Sequence, residues 1–366
     1  FDFHGVNPIM GRLLGPIGLS TRRLFVYLPR SGPPVAVVHR IELQPFRDFP
    51  GQVRPYAAWR ELHEQLAGTI GGRTVAMECS PKNAVPYLDR VPHGVVELVE
   101  SLGGRLVSSA PLVTRFAARW SAAELADHRT AAERLATIAR AELAWAGQAL
   151  ARGEPVREAA VQQRVLEALG RAGLVTTDPP IVAFQVNAAS PHYEPHEGAD
   201  RALAAGDVML LDLWAGVRRD TVFADQTWMA VAGRAPEGEV AKVWEAVRGA
   251  RDAAVESLKR RWGKEPVTGA SLDAVARRVI SDAGYADAFV HRTGHSIDRD
   301  LHGSGPHLDS FETMDERELA EGVGFSVEPG VYLTGRFGMR SEINVVITER
   351  GPEVTPREPQ GELWVV

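Results

Sequence analysis

Val208-Met209-Leu210-Leu211-Asp212-Leu213-Trp214 is the stretch on which the reading of this chain turns. A run this apolar reads as a strand buried on both faces. An ionised carboxylate inside it is costly unless it is paired or bound to a metal, which makes Asp212 a candidate ligand. Taken alone, Asp212 also fits a plainer role, a carboxylate reaching from a strand end to water or to an arginine. Thirteen residues on, Asp225 lies in Thr221-Val222-Phe223-Ala224-Asp225-Gln226-Thr227-Trp228, with Arg218, Arg219 and Asp220 between them as a turn. A hairpin there brings the two aspartates together, and like charges side by side on a sheet destabilise it unless something positive sits between them.

A second acidic pair follows, Glu328 in Phe325-Ser326-Val327-Glu328-Pro329-Gly330 and Glu342 in Met339-Arg340-Ser341-Glu342-Ile343-Asn344-Val345. Residues 333–338 supply the turn, and Arg340, two positions before Glu342, faces the same side of its strand. Any one of these residues alone would read as part of a solvated Arg/Glu face. Four carboxylates together with His295, in Thr293-Gly294-His295-Ser296-Ile297, make an oxygen-rich set. Two divalent ions would balance its charge, with Mn²⁺ favoured and Fe, Co or Zn possible, and no thiolate-rich structural zinc site is compatible with it. Two such ions suit hydrolysis of an acyl bond. Histidines concentrate nearby: His291, His295 and His302 in a glycine-rich stretch, and His192 and His196 in Pro191-His192-Tyr193-Glu194-Pro195-His196.

Outward from these motifs, the 366 residues carry ordinary globular composition and a formal charge of -6, which gives no nucleic-acid footprint. A single cysteine, Cys79, excludes an internal disulfide framework, and a cytoplasmic setting fits best. No apolar run approaches the roughly 20 residues that span a bilayer. The chain opens at Phe1 with neither a methionine nor a signal pattern, so a segment ahead of Phe1 is expected to be missing.

Alternating strands and helices over the first hundred-odd residues predict a small α/β domain: a strand pair at 24–28 and 35–38, a helix over 56–67, a strand over 74–78 and a helix over 91–102. Ser121 and Glu124 form a capping box that opens a helix running to about 150. A second helix is predicted from Pro155, suited to a first helical position, to Leu169, and a strand-rich block over 181–232 follows. The order then repeats, with helices over 239–262 and 271–283 and strands over 289–347. Element order therefore suggests two related halves, although no residue-level repeat is apparent.

In their local contexts these motifs resemble the M24 metallopeptidase family, whose pita-bread fold houses methionine aminopeptidase, aminopeptidase P and prolidase. Leu211-Asp212-Leu213-Trp214-Ala215, Asp225-Gln226-Thr227-Trp228, Thr293-Gly294-His295-Ser296, Ser326-Val327-Glu328-Pro329-Gly330 and Arg340-Ser341-Glu342-Ile343-Asn344 follow the family's order of ligands. The resemblance implies an α/β (α+β) fold, with a creatinase-type N-terminal domain over residues 1–118 and a pita-bread catalytic domain over 119–366. It implies that Asp225 and Glu342 bridge two metals, that Asp212 completes one site, and that His295 with Glu328 completes the other. Glu328 would also relay protons, while His192 and His302 would contact substrate or the tetrahedral intermediate. His291 would border a proline pocket, and Arg340 matches a substrate-binding arginine.

The implied reaction is cleavage of an Xaa-Pro peptide bond by a metal-bridging hydroxide, by an aminopeptidase or a dipeptidase expected to be a homodimer. Small-molecule amidohydrolase or lyase chemistry on the same metal pair is the alternative; a non-catalytic binding protein or a metal-free creatinase-type hydrolase fits the intact ligand set less well. The sequence departs from the family pattern in three places. Asp212 and Asp225 stand further apart than is common, Gln226 and Trp228 replace the usual Ile and Arg, and Gly303 follows His302 where glutamate is frequent. The first two imply a longer turn and altered surroundings of the metals, and the third removes an acid that bears on pH dependence or substrate preference.

Overall fold

The apolar run at 208–214 does form a strand, Val208–Ala215, and all of it except the partly buried Trp214 is buried. It belongs to a computed structural model that describes residues 1–15, 18, 20–196 and 198–366, in which the chain separates into two units, Phe1–Ala117 and Ala118–Val366. In the second unit Val208–Ala215 pairs antiparallel with Ile181–Phe184 on one side and Ala224–Val231 on the other, and Trp364–Val365 adds a parallel edge. A second four-stranded sheet runs in the order Gly351–Thr355, Ile343–Thr348, Gly324–Val327, Ser296–Ile297, antiparallel throughout.

Side-chain alternation sorts the first sheet's residues between two cores. Met209, Leu211 and Leu213 join the helices Ala122–Ala151 and Glu158–Arg171, with Trp228 stacked on Trp364 at 5.0 Å. Val208 and Leu210 join Phe325, Val327, Val345 and the helices Gly238–Arg261 and Gly269–Asp282. Each large side chain removed from water in these layers contributes about 1.5–3 kcal/mol. Asp212, in step with Val208 and Leu210, faces the second of these cores.

The capping box forms as read: Ser121 Oγ accepts from Glu124 N at 3.2 Å while Glu124 Oε2 accepts from Ser121 N at 2.8 Å. The next helix begins at Glu158, not at Pro155. The backbone ahead of it is committed elsewhere, because the Val156 carbonyl accepts from Leu203 N and Arg157 bridges Ala202. The same junction recurs in the second half, where the Val267 carbonyl accepts from Leu319 N and Thr268 bridges Glu318.

From that junction a residue-level repeat emerges that the sequence reading missed. Arg201, Leu203, Ala204, Gly206 and Asp212 correspond to Arg317, Leu319, Ala320, Gly322 and Glu328, each pair 116 residues apart. Gly206 and Gly322 both sit at left-handed φ, 90° and 86°, which turns the chain into its central strand. The first metal-ligand candidate of each acidic pair thus occupies the same place in its half.

In the first unit, Phe25–Tyr27 pairs antiparallel with Val35–His39, and Gln52–Tyr56 adds in parallel. Tyr56 therefore ends a strand rather than starting a helix, and the helix runs Trp59–Ile70 after Glu61 Oε2 accepts from Ala57 N at 2.7 Å. Thr74–Met77 pairs in parallel with Arg105–Ser108, and the helix His93–Ser101 lies between them in sequence. Among the described residues, no helix is long and apolar enough to cross a membrane.

Candidate metal centre

Asp225, His295 and Glu342 are buried, and one ligand atom from each falls within 4.8 Å of the other two. Three different backbone devices bring them there. Asp225 sits on Ala224–Val231 diagonally across from Asp212, since Asp212 pairs with Thr227 and Asp225 with Trp214, so the two carboxylates share a face without standing directly opposite. Its backbone is held from the other sheet by Asn344, whose Oδ1 accepts from Asp225 N at 2.9 Å and whose Nδ2 donates to Asp225 O at 2.8 Å. Glu328 and Glu342 lie one step beyond the Val327 and Ile343 pair that ends the second sheet's central ladder. The turn between Gly330–Leu333 and Phe337–Arg340 spans 334–336, tighter than the sequence implied, and the ladder carries on to Arg340 opposite Gly330.

His295 is held on three sides. Its N donates to Ser326 Oγ at 2.9 Å, and its O accepts from Ser326 N at 2.8 Å. Its Nδ1 lies 3.1 Å from the Ser296 carbonyl, which accepts the Nδ1 proton and turns Nε2 towards the acids. Nε2 is 3.3 Å from Asp225 Oδ2 and 3.5 Å from Glu328 Oε1.

Asp212 takes the plainer of the two roles the sequence left open, reaching an arginine, and keeps one oxygen unengaged. Its Oδ2 accepts from Arg340 Nη2, whereas Oδ1 is buried and has no hydrogen-bond partner among the described residues. Arg340 Nε donates to Thr227 Oγ1 at 2.8 Å, and Thr227 Oγ1 in turn donates to Glu342 Oε2 at 2.8 Å. Arg340 also lies 4.0 Å from Glu328 Oε2. Thr227, Ser326 and Asn344 were not singled out from sequence, although period-two alternation puts them on the same faces as Asp225, Glu328 and Glu342.

The electrostatics of the cluster fit a cation-binding role. Burial pushes Asp212 up to about 7 against the pull of Arg340, with Asp225 and Glu328 adding to the rise. Burial likewise raises Asp225, and raises Glu342 well above the usual carboxylate range with help from Asp225, Glu328 and Asp212. Glu328, whose burial acts in the same direction, is instead held low by His295 and Arg340. One arginine and one imidazole cannot balance four carboxylates in a desolvated site; divalent cations would. The unpartnered Asp212 Oδ1, the His295 Nε2 directed at Asp225 and Glu328, and the oxygen-rich donor set all suit such ions.

Around this centre, the His302 ring meets His295 edge-on at 4.4 Å and is exposed. His291 points its Nδ1 at the Arg292 carbonyl, 2.7 Å, and its Nε2 accepts from the Tyr332 hydroxyl at 2.8 Å. Tyr332, absent from the sequence reading, is buried, and only glycine fits beside it at position 330, where a Cβ would lie 2.5 Å from its hydroxyl. His192 and His196 are exposed on the loop that follows Ile181–Phe184, and His307 is buried with Nδ1 accepting from Ser296 N at 3.1 Å.

The three departures resolve differently. The longer turn between the aspartates is tied to the Ala122–Ala151 helix: Arg218 Nη1 lies 2.6 Å from Asp127 Oδ2, and Thr221 Oγ1 donates to the same oxygen at 2.7 Å. Gln226 and Trp228 do not alter the metals' surroundings as expected. They alternate away from Asp225 and Thr227, and Gln226 Nε2 donates to the Ala132 carbonyl at 2.9 Å while Trp228 Nε1 donates to Gln226 Oε1 at 2.9 Å. At Gly303 a Cβ would come within 2.8 Å of the Asp298 backbone and carboxylate, so the space that a side chain at 303 needs is filled by Asp298.

With this geometry in view, comparison with known proteins is specific. Residues 127–349 match the model of metallopeptidase family M24. The chain is similar to the probable dipeptidase PepE of Mycobacterium tuberculosis strain H37Rv, 30% identical over 331 residues covering 88% of this chain and 80% of that protein. It is also similar to the Xaa-Pro dipeptidase of Pyrococcus furiosus, 30% identical over 219 residues, 60% of this chain and 58% of that one. Its fold matches the crystal structure of dipeptidase PepE from Mycobacterium ulcerans with a TM-score of 0.73 at 29% identity, over 94% of this chain and 86% of that one.

Proposed function

We infer that the chain, which belongs to metallopeptidase family M24, uses two divalent metal ions to cleave the bond between an N-terminal residue and proline. That it is a metallo-exopeptidase with the family's pita-bread fold follows from membership and from its dipeptidase relatives. The single observation carrying the finer reading is the convergence of buried Asp225, His295 and Glu342, with Asp212 and Glu328 at its edge. All five would hold the metals. The name of the Pyrococcus furiosus relative supports the proline preference. Mn²⁺ is the proposed metal because one imidazole among four carboxylates favours it; a homodimer rests on the family resemblance, and a cytoplasmic setting on the single cysteine.

Bound ions would supply the charge that the four carboxylates lack and a water of lowered pKa. Glu328, at the edge of the cluster with Oε1 3.5 Å from His295 Nε2, is placed to take up a proton and deliver it to the departing nitrogen. Proline's nitrogen is a tertiary amide and leaves only once protonated. His302, open to solvent beside His295, can donate a hydrogen bond to the carbonyl oxygen as charge builds on it. His291, fixed by Tyr332, forms a wall of rings suited to a pyrrolidine, and His192 reaches the substrate from its loop. Arg340 holds Asp212 and, through Thr227, Glu342, so that its part in substrate binding would be to set the carboxylates that face the substrate.

The reading is tested by stripping the protein with chelator, restoring Mn²⁺, Co²⁺ or Zn²⁺ in parallel, and assaying an Xaa-Pro dipeptide, an Xaa-Pro-Xaa tripeptide and an Xaa-Ala control. Metal-dependent release confined to the proline substrates is the expected result, and the dipeptide-to-tripeptide ratio separates dipeptidase from aminopeptidase. Equal cleavage of Xaa-Ala would overturn the proline preference.

A further inference from the structure

One carboxylate outside the metal cluster collects more of the fold's polar contacts than any local role requires. Glu158, the first residue of the helix Glu158–Arg171, is fully buried. Its Oε1 accepts from Phe184 N at 2.6 Å and from Asn187 Nδ2 at 3.1 Å, and its Oε2 accepts from Asn187 Nδ2 at 3.0 Å, from the Tyr193 hydroxyl at 2.8 Å and from Arg201 N at 2.6 Å. Phe184 and Arg201 stand at the two ends of the loop that carries His192, and Asn187 and Tyr193 stand within it. One side chain therefore closes the loop's base and pins its middle beside His192.

Neighbouring contacts reinforce the same loop. Arg157 Nε donates to Asp200 Oδ1 at 2.9 Å, and Asp200 Oδ2 accepts from Ala159 N at 3.1 Å. On its other side the Ala188 carbonyl lies so close to Gly338, two residues before Arg340, that a Cβ there would stand 2.0 Å away. The loop is thus packed between the helix start and the strand that leads to the metal centre, while His192 itself is exposed.

We propose that Glu158 is a positioning residue for the reaction, acting through the loop to present His192 to the peptide substrate. The proposal rests on the substrate-contacting role of His192 given above. Every partner of Glu158 is a donor, so the carboxylate cannot be replaced by an amide without turning an NH₂ towards an N–H or O–H. Losing charge-assisted bonds in a buried site should lower the population of the ordered loop roughly 10- to 100-fold.

The test uses the metal-loaded full chain. Hydrogen exchange in peptides covering residues 186–196 should speed up about tenfold or more in Glu158→Gln, with strand Val208–Ala215 unchanged. In a double-mutant cycle with His192→Ala, kcat/KM should fall in each single variant, and the double variant should match His192→Ala to within about twofold. Should Glu158→Gln fail to fold, Tyr193→Phe, which removes one of the same bonds, takes its place in both experiments. Unchanged exchange overturns the proposal whatever the activity, and additive losses in the cycle overturn it because Glu158 then acts by another route. Wild-type activity in His192→Ala with faster exchange in Glu158→Gln would instead overturn the substrate role of His192, leaving a clamp with nothing to position.

Discussion

Outside the metal cluster, the buried His128 makes its own contribution to how stability depends on pH. It is fully buried on the Ala122–Ala151 helix, with Nδ1 3.0 Å from the Phe223 carbonyl and Nε2 2.8 Å from Thr355 Oγ1, and burial pushes it down to about 4. The unfolded chain takes up this proton near the ordinary value of about 6.5, so between there and about 4 the unfolded state binds more protons than the folded one. The stability that neutral His128 contributes is complete above that window and is lost as pH falls through it, on the order of 3 kcal/mol in all. Thermal melting followed from pH 7 to pH 4 should show this loss, and His128→Gln should flatten the slope. At the metal cluster, His295→Ala or Glu328→Ala should lower turnover by orders of magnitude with the helical circular dichroism intact. Near-normal activity in either variant would contradict their assignment. Asp273 plays a supporting part: its Oδ1 accepts from Thr293 N at 2.9 Å and from Thr293 Oγ1 at 2.6 Å, two residues before His295.

Among the elements, the short segment 293–297 depends most on close backbone approach. Glu328 N donates to the Thr293 carbonyl at 2.7 Å and Ser326 N to the His295 carbonyl, so the chain around Gly294 lies directly against Gly324–Val327. A Cβ on Gly294 would stand 2.0 Å from the Ser326 carbonyl and 3.2 Å from Ser326 Oγ, the atom that accepts from His295 N. Backbone cannot yield as a flexible side chain does. Gly294→Ala should therefore cost about 1–3 kcal/mol of stability and weaken metal uptake, read by thermal melting and by metal titration of the stripped protein. At the start of the long helix, Ser121→Ala should cost about 1 kcal/mol through loss of its cap. The same variant should leave activity unchanged. Its partner Glu124 also accepts from Arg299 Nε at 2.9 Å, which ties the helix start to the stretch leading to His302.

At the scale of the whole molecule, the unit Ala118–Val366 is two related halves that each bring an acid, Asp212 on one central strand and Glu328 just past the other, to a shared desolvated cluster. Removing metal leaves that cluster with carboxylates raised by burial and by one another, so chelation should lower the melting temperature and Mn²⁺ should restore it in a concentration-dependent way. A melting temperature indifferent to metal would contradict the proposed centre. The sequence by itself determined the capping box at Ser121 and the order of the acidic and histidine motifs, whose family resemblance implied the fold class, because these depend on local pattern: an apolar run around Asp212, a cap three residues from its partner, alternation along single strands. Only the tertiary structure decided that Tyr56 ends a strand, that Gln226 and Trp228 face a helix and not the acidic cluster, and that Arg340 engages Asp212. It also exposed the 116-residue repeat and the reach of Glu158, since each rests on partners far apart in the chain, chosen by which backbone groups and charges must be satisfied once water is excluded.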